Sequence, residues 1–141
     1  MNEPYCQIEE YVDCAGKLRK IRVREVIRPV GPVLEACEVI DGEPIGMMLT
    51  EQFEEGEVPP FYELRRRIRE RLAARDLVRH PKTGQLELLT AKIRGQFDMP
   101  RDEGPVIWVD GKRYGWDEIG ALLESYEGWG IRIEICDAGR E

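Results

Sequence analysis

Two Asp-Gly pairs flanked by apolar residues constrain the fold of this chain more than any other sequence feature. Both central residues of a tight hairpin turn favour positive φ, which Gly and Asp adopt more readily than most residues. The first pair, Asp41-Gly42, separates apolar stretches at residues 33–40 and 44–49. A stretch of alternating apolar and basic residues before them predicts one more strand. The first 50 residues are therefore predicted to form an antiparallel β meander.

The second pair, Asp110-Gly111, follows an apolar run at residues 106–109 and predicts a further hairpin. Gly115 then provides an N-cap, after which apolar residues recur with helical spacing. Three isoleucines that alternate with other residues predict a closing strand, so the chain is expected to end in a β-β-α-β unit. The apolar helix positions are Ile119, Leu122, Leu123 and Tyr126, and the alternating isoleucines are Ile131, Ile133 and Ile135.

A helix with an arginine-rich face is predicted between these two regions. Its apolar residues have helical spacing, and arginines fill many of the positions between them. Residues 51–60 before it are acidic and end in two prolines, which indicates a linker. The predicted fold class is α+β, with an N-terminal region at 1–50, this linker, and an α+β region at 61–141, all compatible with one domain. The apolar helix positions are Phe61, Leu64, Ile68 and Leu72.

The net charge of −7 argues against a protein that binds nucleic acid over its whole surface, because phosphate contacts need positive charge. Residues 65–75 are an exception, since six Arg and one Glu give them a local charge of +5. One interpretation is a solvated helix face that the glutamates of residues 51–57 balance. The other is a binding surface for RNA, DNA or an acidic protein. That surface would consist of Arg65, Arg66, Arg69 and Arg71.

The cysteines lack the spacing of two to four residues that is typical of structural zinc sites. Cys6, Cys14 and Cys37 could converge with His80 on one metal ion, or each cysteine could be a free thiol in a reducing compartment. The sequence has no apolar run of the roughly 18 residues that a membrane span needs, and no secretion signal. These features predict a cytoplasmic protein without a metal or other cofactor. The cysteines are Cys6, Cys14, Cys37 and Cys136.

No recognisable catalytic set is present in the sequence. The only serine, Ser125, falls within the predicted C-terminal helix rather than in a nucleophile elbow. The only histidine, His80, precedes Pro81 in a predicted turn. The glycines form neither of the common phosphate-binding motifs. The sequence therefore favours a non-enzymatic protein, and a small metal-dependent enzyme that uses the cysteines and His80 stays an alternative.

A distinctive motif spans the C-terminal third of the chain. It comprises a strand, a D-G turn, a helix of the form W-x-E-[hydrophobic]-G, and a Y-E-G-W turn into a strand. This pattern resembles a family of uncharacterised bacterial and archaeal proteins, and the likeness extends upstream to Phe61. The family has no established activity, so the resemblance implies no catalytic residues. The motif is carried by Val109-Asp110-Gly111, Trp116-Asp117-Glu118-Ile119-Gly120, Leu123 and Tyr126-Glu127-Gly128-Trp129.

Some relatives of this family begin with a CxxC-type metal-binding knuckle. In this chain the first two cysteines, Cys6 and Cys14, are eight positions apart. This departure from the family pattern argues against a metal-binding role for the N-terminus.

Large aromatic residues bracket the helix of the motif. Burial of Trp116 and Trp129 would hold this helix against a sheet, since each such ring buries about 150 to 250 Å². The alternative is a ligand groove lined by aromatic residues and one carboxylate. Glu127 is unusual, because the dipole at the end of a helix disfavours an anion. The groove would consist of Trp116, Tyr126, Glu127 and Trp129.

These observations favour a small non-catalytic binding or assembly module. Strand edges and exposed aromatic side chains would suit a homodimer or a contact with another protein. A nucleic-acid-associated protein that uses the helix face at residues 65–75 is the second hypothesis, and a small metal-dependent enzyme is the third.

Overall fold

The computed structural model describes residues 4–136, which form two compact units. The first unit ends at Ala74, and the second is Arg75–Cys136. Neither of the helices in these residues has the length and apolar character needed to cross a bilayer. The first unit contains β1 (Cys6–Val12), β2 (Leu18–Arg28), β3 (Gly31–Ile40), β4 (Glu43–Gln52) and α1 (Phe61–Ala73). The second contains β5 (Leu77–Arg79), β6 (Leu86–Leu88), β7 (Gln96–Asp98), β8 (Val106–Val109), β9 (Lys112–Gly115), α2 (Trp116–Leu123) and a 3₁₀ turn (Glu124–Tyr126).

The mixed α+β architecture confirms the predicted fold class, and both Asp-Gly pairs form the tight turns that the sequence predicts. Asp41 and Gly42 have φ values of 53° and 79°, and they join β3 to β4. Asp110 and Gly111 have φ values of 52° and 76°, and they join β8 to β9. Because positive φ is unfavourable for most L-residues, these pairs determine where each hairpin reverses.

The first unit is an antiparallel sheet of strand order β1-β2-β3-β4, against which α1 packs. The helical spacing of apolar residues is confirmed, since Leu64, Ile68 and Leu72 are buried. Opposing residues of paired strands share a face, so the register of β2, β3 and β4 places one set of apolar side chains together on the side that α1 covers. The sheet contributes Ile21, Val23, Leu34, Ala36 and Leu49 to this core.

Helix α1 belongs to the first unit, whereas the sequence grouped it with the C-terminal region at 61–141. Its apolar face completes the core of the meander. The acidic segment predicted at 51–60 also begins later, because β4 continues to Gln52. The spacing of apolar residues shows that a helix has a buried face, but it does not show which surface that face covers.

Strand β1 was not predicted from the sequence. It pairs with β2 along its whole length, with Cys6 opposite Arg24 and Val12 opposite Leu18. The face of β1 that lies beside the core carries Glu9 and Tyr11, so the strand lacks the apolar alternation that identifies a half-buried strand. The inward-facing carboxylate of Glu9 is stabilised by a polar partner on α1.

The second unit has its own core, which two small sheets and α2 share. Strands β5 and β6 form a hairpin, and β7, β8 and β9 form a three-stranded antiparallel sheet. Helix α2 follows Gly115, whose amide donates a hydrogen bond to Oε1 of Glu118 at 3.4 Å. The buried core consists of Leu77, Leu86, Val109, Tyr114, Ile119 and Leu122.

The prediction of a closing strand is wrong. Residues 131–136, all of which the structure describes, lie outside the sheets. Ile131, Ile133 and Ile135 are 72%, 77% and 89% exposed. The alternation of apolar residues predicts which side chains share a face. A strand also needs the edge of a neighbouring strand to supply its backbone hydrogen bonds. The C-terminal unit is therefore β-β-α, followed by an exposed apolar segment outside the sheets.

Candidate functional site

The arginine-rich face of α1 includes an ion pair with the meander. Nη2 of Arg65 lies 2.7 Å from Oε2 of Glu9 on β1, and Nε of Arg65 lies 3.2 Å from both carboxylate oxygens. The same guanidinium lies 5.0 Å from the centre of the Phe61 ring, which is within the range of a cation–π interaction. Arg65 therefore connects α1 to β1.

Two further arginines of this face also have carboxylate partners. Arg66 lies 2.9 Å from Glu63 and 2.7 Å from Glu70, which are its neighbours on the helix surface. Arg67 lies 2.9 Å from Glu51 and donates a hydrogen bond to a backbone carbonyl of β4 at 2.7 Å. Three arginines of this face thus have carboxylate partners within the first unit, but only Glu51 belongs to the acidic segment that the sequence analysis expected to balance them.

The remaining two arginines of the predicted anion-binding set lie near the end of α1. Arg69 is exposed and lines a groove of about 300 Å³ between β1 and the last turn of the helix. Arg71 lies in that last turn, where the helix dipole favours positive charge. One pair of backbone groups in the groove is already engaged, since the Cys14 amide donates to the Leu72 carbonyl at 3.1 Å.

Glu9 is the centre of a polar cluster beside the core of the first unit. The hydroxyl of Tyr11 donates to Oε1 of Glu9 at 2.6 Å, and the hydroxyl of Tyr5 donates to Oε2 at 3.0 Å. Burial alone would raise the pKa of Glu9, but the hydrogen bonds from Arg65 and the two tyrosines outweigh it and lower the pKa. Burial and the adjacent carboxylate raise the pKa of Tyr11.

A buried ionic cluster joins β2, β3 and the turn after β1. The guanidinium of Arg19 forms a two-pronged interaction with Glu38, and Nη2 lies 2.7 Å from Oε1. Nη1 of Arg19 lies 2.9 Å from Oδ2 of Asp13. The side chains of Arg19, Asp13 and Glu38 are only 6%, 4% and 3% exposed. Each charge is therefore compensated by a partner rather than by water.

Local backbone geometry makes room for this cluster. A register shift interrupts the pairing of β3 and β4 next to Glu38, between Cys37 and Val39. Opposite the shift, Gly46 has a φ of 97°, and a Cβ atom there would lie 2.9 Å from Oε1 of Glu38. Glycine is needed at this position because any side chain would collide with the carboxylate and would strain the backbone.

A second buried carboxylate lies on the opposite face of the sheet. The side chain of Glu35 is 2% exposed, and its oxygens lie 2.9 Å from Arg24 and 2.5 Å from Arg28. Burial alone would raise the pKa of Glu35, but the hydrogen bonds from Arg28 and Arg24 outweigh it and lower the pKa. The basic residues that alternate along β2 therefore hold this carboxylate.

The first unit is expected to lose stability in acid. The pKa values of Glu9, Asp13 and Glu35 are lower in the folded protein than their ordinary values. Their stabilisation is complete above about pH 5 and is lost as the pH falls through about 4 toward the folded values. We expect the urea midpoint, followed by far-UV circular dichroism, to change little between about pH 7 and 5 and to decrease below about pH 4.

Replacement of one of these carboxyl groups provides the control. In E9Q the amide cannot ionise, so the decrease of the urea midpoint between about pH 5 and 3 should be smaller than in the natural protein. A midpoint that is unchanged or higher in acid would contradict the lowered pKa values.

The residues considered for metal binding are not placed as a metal site. Cys6, Cys14 and Cys136 are exposed free thiols, and burial raises the pKa of the Cys37 thiol. Nδ1 of His80 accepts hydrogen bonds from the two backbone amides that follow Pro81, at 3.2 and 3.3 Å. Within residues 4–136, no three His, Cys, Asp or Glu side chains are close enough together to hold a metal ion.

Two aspartate carboxylates accept backbone hydrogen bonds at the beginning of the second unit. The carboxylate of Asp110 accepts the backbone amides of Asp76 at 3.0 Å and Leu77 at 2.9 Å. Asp76 is 3% exposed and accepts the backbone amide of Arg94 at 2.7 Å. These bonds connect the β8–β9 turn, the start of β5 and the segment before β7. Sequence analysis recognised Asp110 as a turn residue but did not predict its long-range role.

The structure brings together two members of the predicted ligand groove. The rings of Tyr126 and Trp129 meet edge to face with centroids 5.6 Å apart. Trp116 and Trp129 are 57% and 68% exposed, so the interpretation that both tryptophans hold α2 against a sheet is wrong. The side chain of Glu127 is also exposed. This region therefore presents aromatic surface to solvent instead of burying it.

The exposed aromatic surface continues into the segment that failed to form a strand. We call residues 130–136 the isoleucine segment. Its isoleucines and Trp129 occupy every second position of the chain. An extended backbone would therefore place these side chains on one face. Arg132 and Glu134 alternate with them and fall on the other face. The segment thus has the pattern of a half-buried strand although its apolar side chains are exposed.

Comparison with known proteins addresses this part of the chain. Residues 76–140 match DUF7713, a domain of unknown function. The DUF7713 match begins next to the boundary between the two units and includes Asp76, Asp110, α2 and the isoleucine segment. It supports the resemblance of this region to an uncharacterised family, whereas α1 and the meander lie outside it. No curated protein and no solved structure matches the chain.

Proposed function

We propose that this chain is a non-catalytic binding or assembly module that contacts another protein chain through the isoleucine segment. One observation carries the proposal. Trp129, Ile131, Ile133 and Ile135 are 68% to 89% exposed and follow one another at every second position. Soluble monomers rarely leave contiguous large apolar side chains uncovered, because burial of such surface is the main favourable term in association. A protein partner would cover this face.

The two alternative functions receive less support from the geometry. Phosphate binding by the predicted arginines of α1 would require Arg65 and Arg66 to exchange their carboxylate partners for phosphates. A metal-dependent reaction would require a ligand cluster, and residues 4–136 contain none. The exposed isoleucine side chains of the segment have no comparable partner to displace among residues 4–136.

The proposal is tested by removing apolar surface from the segment. In I133S a hydroxyl replaces a side chain that is 77% exposed, so the fold of the monomer should be unaffected. We expect the natural chain to form complexes of more than one copy at high micromolar concentration, and I133S to remain at 16.3 kDa. Native mass spectrometry and sedimentation velocity measure both masses.

An exposed apolar residue elsewhere provides the matched control. Val30 is 73% exposed in the turn between β2 and β3, so V30S removes a similar apolar side chain outside the segment. V30S should associate like the natural chain. Association that is as strong after I133S as before it, or that V30S weakens equally, would remove the support for this contact surface.

A further inference from the structure

We infer that the partner of the isoleucine segment is a second copy of this chain, with the two segments paired as antiparallel strands centred on Ile133. This inference rests on the proposed function, since it names the partner of the same surface. Its basis is the order of residues in the segment, which is self-complementary in apolar character and in charge.

In antiparallel pairing centred on Ile133, every residue of the segment lies opposite a residue of the second copy's segment. Ile133 lies opposite the same residue of the second copy, and Ile131 lies opposite Ile135. On the other face, Arg132 lies opposite Glu134, and the two-fold symmetry produces this pair twice. Cross-strand pairs of opposite charge and of branched apolar residues both stabilise a ladder.

Charge disfavours the neighbouring arrangements. Parallel pairing in register would place Arg132 opposite Arg132 and Glu134 opposite Glu134. Antiparallel pairing centred on either charged residue would place that residue opposite its own copy. Like charges directly opposite each other destabilise a strand pair. The register centred on Ile133 is the arrangement among these that avoids such contacts.

The backbone of the segment has the hydrogen-bonding groups that this pairing needs. Residues 131–136 lie outside the sheets of the described chain, so their amides and carbonyls can join a new ladder. The paired strands would place the isoleucines and Trp129 of both copies on one face. An interface of one short strand per copy is small, so we expect a dissociation constant on the order of 10 µM.

Reversal of one charge at a time tests the register. R132E places glutamate opposite Glu134, and E134R places arginine opposite Arg132, each twice per dimer. We expect either variant alone to weaken self-association on the order of tenfold in sedimentation equilibrium. The double variant R132E/E134R restores opposite charges at both pairs, so its dissociation constant should return to that of the natural chain.

Mixing the single variants gives an independent result. In a complex of R132E with E134R, both cross-strand pairs again have opposite charges, so the mixed dimer should dominate over both homodimers. The three dimers differ in mass and are resolved by native mass spectrometry. A statistical mixture of the three species would contradict the register.

An intermolecular disulfide bond provides a further test of the same register. Residue 130 lies opposite Cys136 in this arrangement, and a Cβ atom at Gly130 would meet no atom within 4 Å. With Cys6 and Cys14 replaced by serine, G130C should form an intermolecular disulfide to Cys136 when an oxidant such as dissolved oxygen accepts the two electrons. Peptide mapping should find this link and neither a 130–130 nor a 136–136 link, and G130C/C136S should remain uncrosslinked.

The outcomes separate this inference from the proposed function. If I133S abolishes association but the charge variants and the disulfide do not follow the expected pattern, the contact surface stands and the register is overturned. If the natural chain is monomeric at all concentrations, the second copy is excluded as the partner. Association that persists after I133S would overturn both.

Discussion

Replacement of Arg19 with methionine is expected to destabilise the first unit by about 3 to 5 kcal/mol. The guanidinium compensates two buried carboxylates, Asp13 and Glu38, whose side chains are 4% and 3% exposed. Methionine has a similar length but no charge, so R19M leaves both carboxylates without their cation in a region that water does not reach. Hydrogen–deuterium exchange of peptides from β2 and β3, measured in increasing urea, gives the free energy of opening.

Two controls separate charge compensation from packing in this experiment. K20M changes the neighbouring exposed residue of β2 in the same way and should shift stability by less than about 0.5 kcal/mol. R19M/E38L removes one uncompensated carboxylate together with the arginine and should recover part of the loss, because an apolar replacement of a buried ion pair is often tolerated. A loss below about 1 kcal/mol in R19M would contradict this role of Arg19.

Replacement of Asp110 with alanine is expected to destabilise the second unit by about 3 kcal/mol. The carboxylate accepts the amides of Asp76 and Leu77, and Leu77 is 2% exposed, so its amide would lose its partner away from water. Alanine would also have to adopt a φ near 52°. The loss of the hydrogen bonds to the carboxylate and the backbone strain both lower the stability of the second unit.

Tryptophan fluorescence isolates the unit in which this effect occurs. The three tryptophans, at positions 108, 116 and 129, all belong to the second unit, so a urea titration followed by their emission reports its unfolding. D110G removes the carboxylate without backbone strain, and D110N keeps a side-chain oxygen and tolerates positive φ. We expect the loss in free energy of unfolding to be largest for D110A, smaller for D110G and smallest for D110N. A D110G variant as stable as the natural protein would show that the hydrogen bonds to the two amides do not stabilise this unit.

Much of the fold could be predicted because its determinants are local. Asp41-Gly42 and Asp110-Gly111 require a backbone conformation that few other residues adopt, so both hairpins were recognised from two residues each. The spacing of Leu64, Ile68 and Leu72 likewise identified the buried face of α1. Strand β1 was missed because its inward carboxylate is explained only by an arginine 56 positions later in the chain.

The candidate site was only partly predicted, because exposure is a property of the folded chain. The sequence patterns pointed to Tyr126 and Trp129, which the structure brings together, and to the arginines of α1, several of which have carboxylate partners. The roles of Arg19 and Asp76 were not anticipated, since each depends on partners from other strands or turns. Buried charge has no sequence signature that distinguishes it from a solvated charge.

Local sequence alone specifies the turns, the apolar faces and the alternating order of the isoleucine segment. These features depend on φ preferences and on side-chain periodicity, which act between near neighbours. Tertiary structure decided which surface α1 covers, which charges are buried together, and that the last isoleucines remain exposed. Those outcomes depend on contacts between residues far apart in the chain, because a strand needs an edge and a buried charge needs a partner.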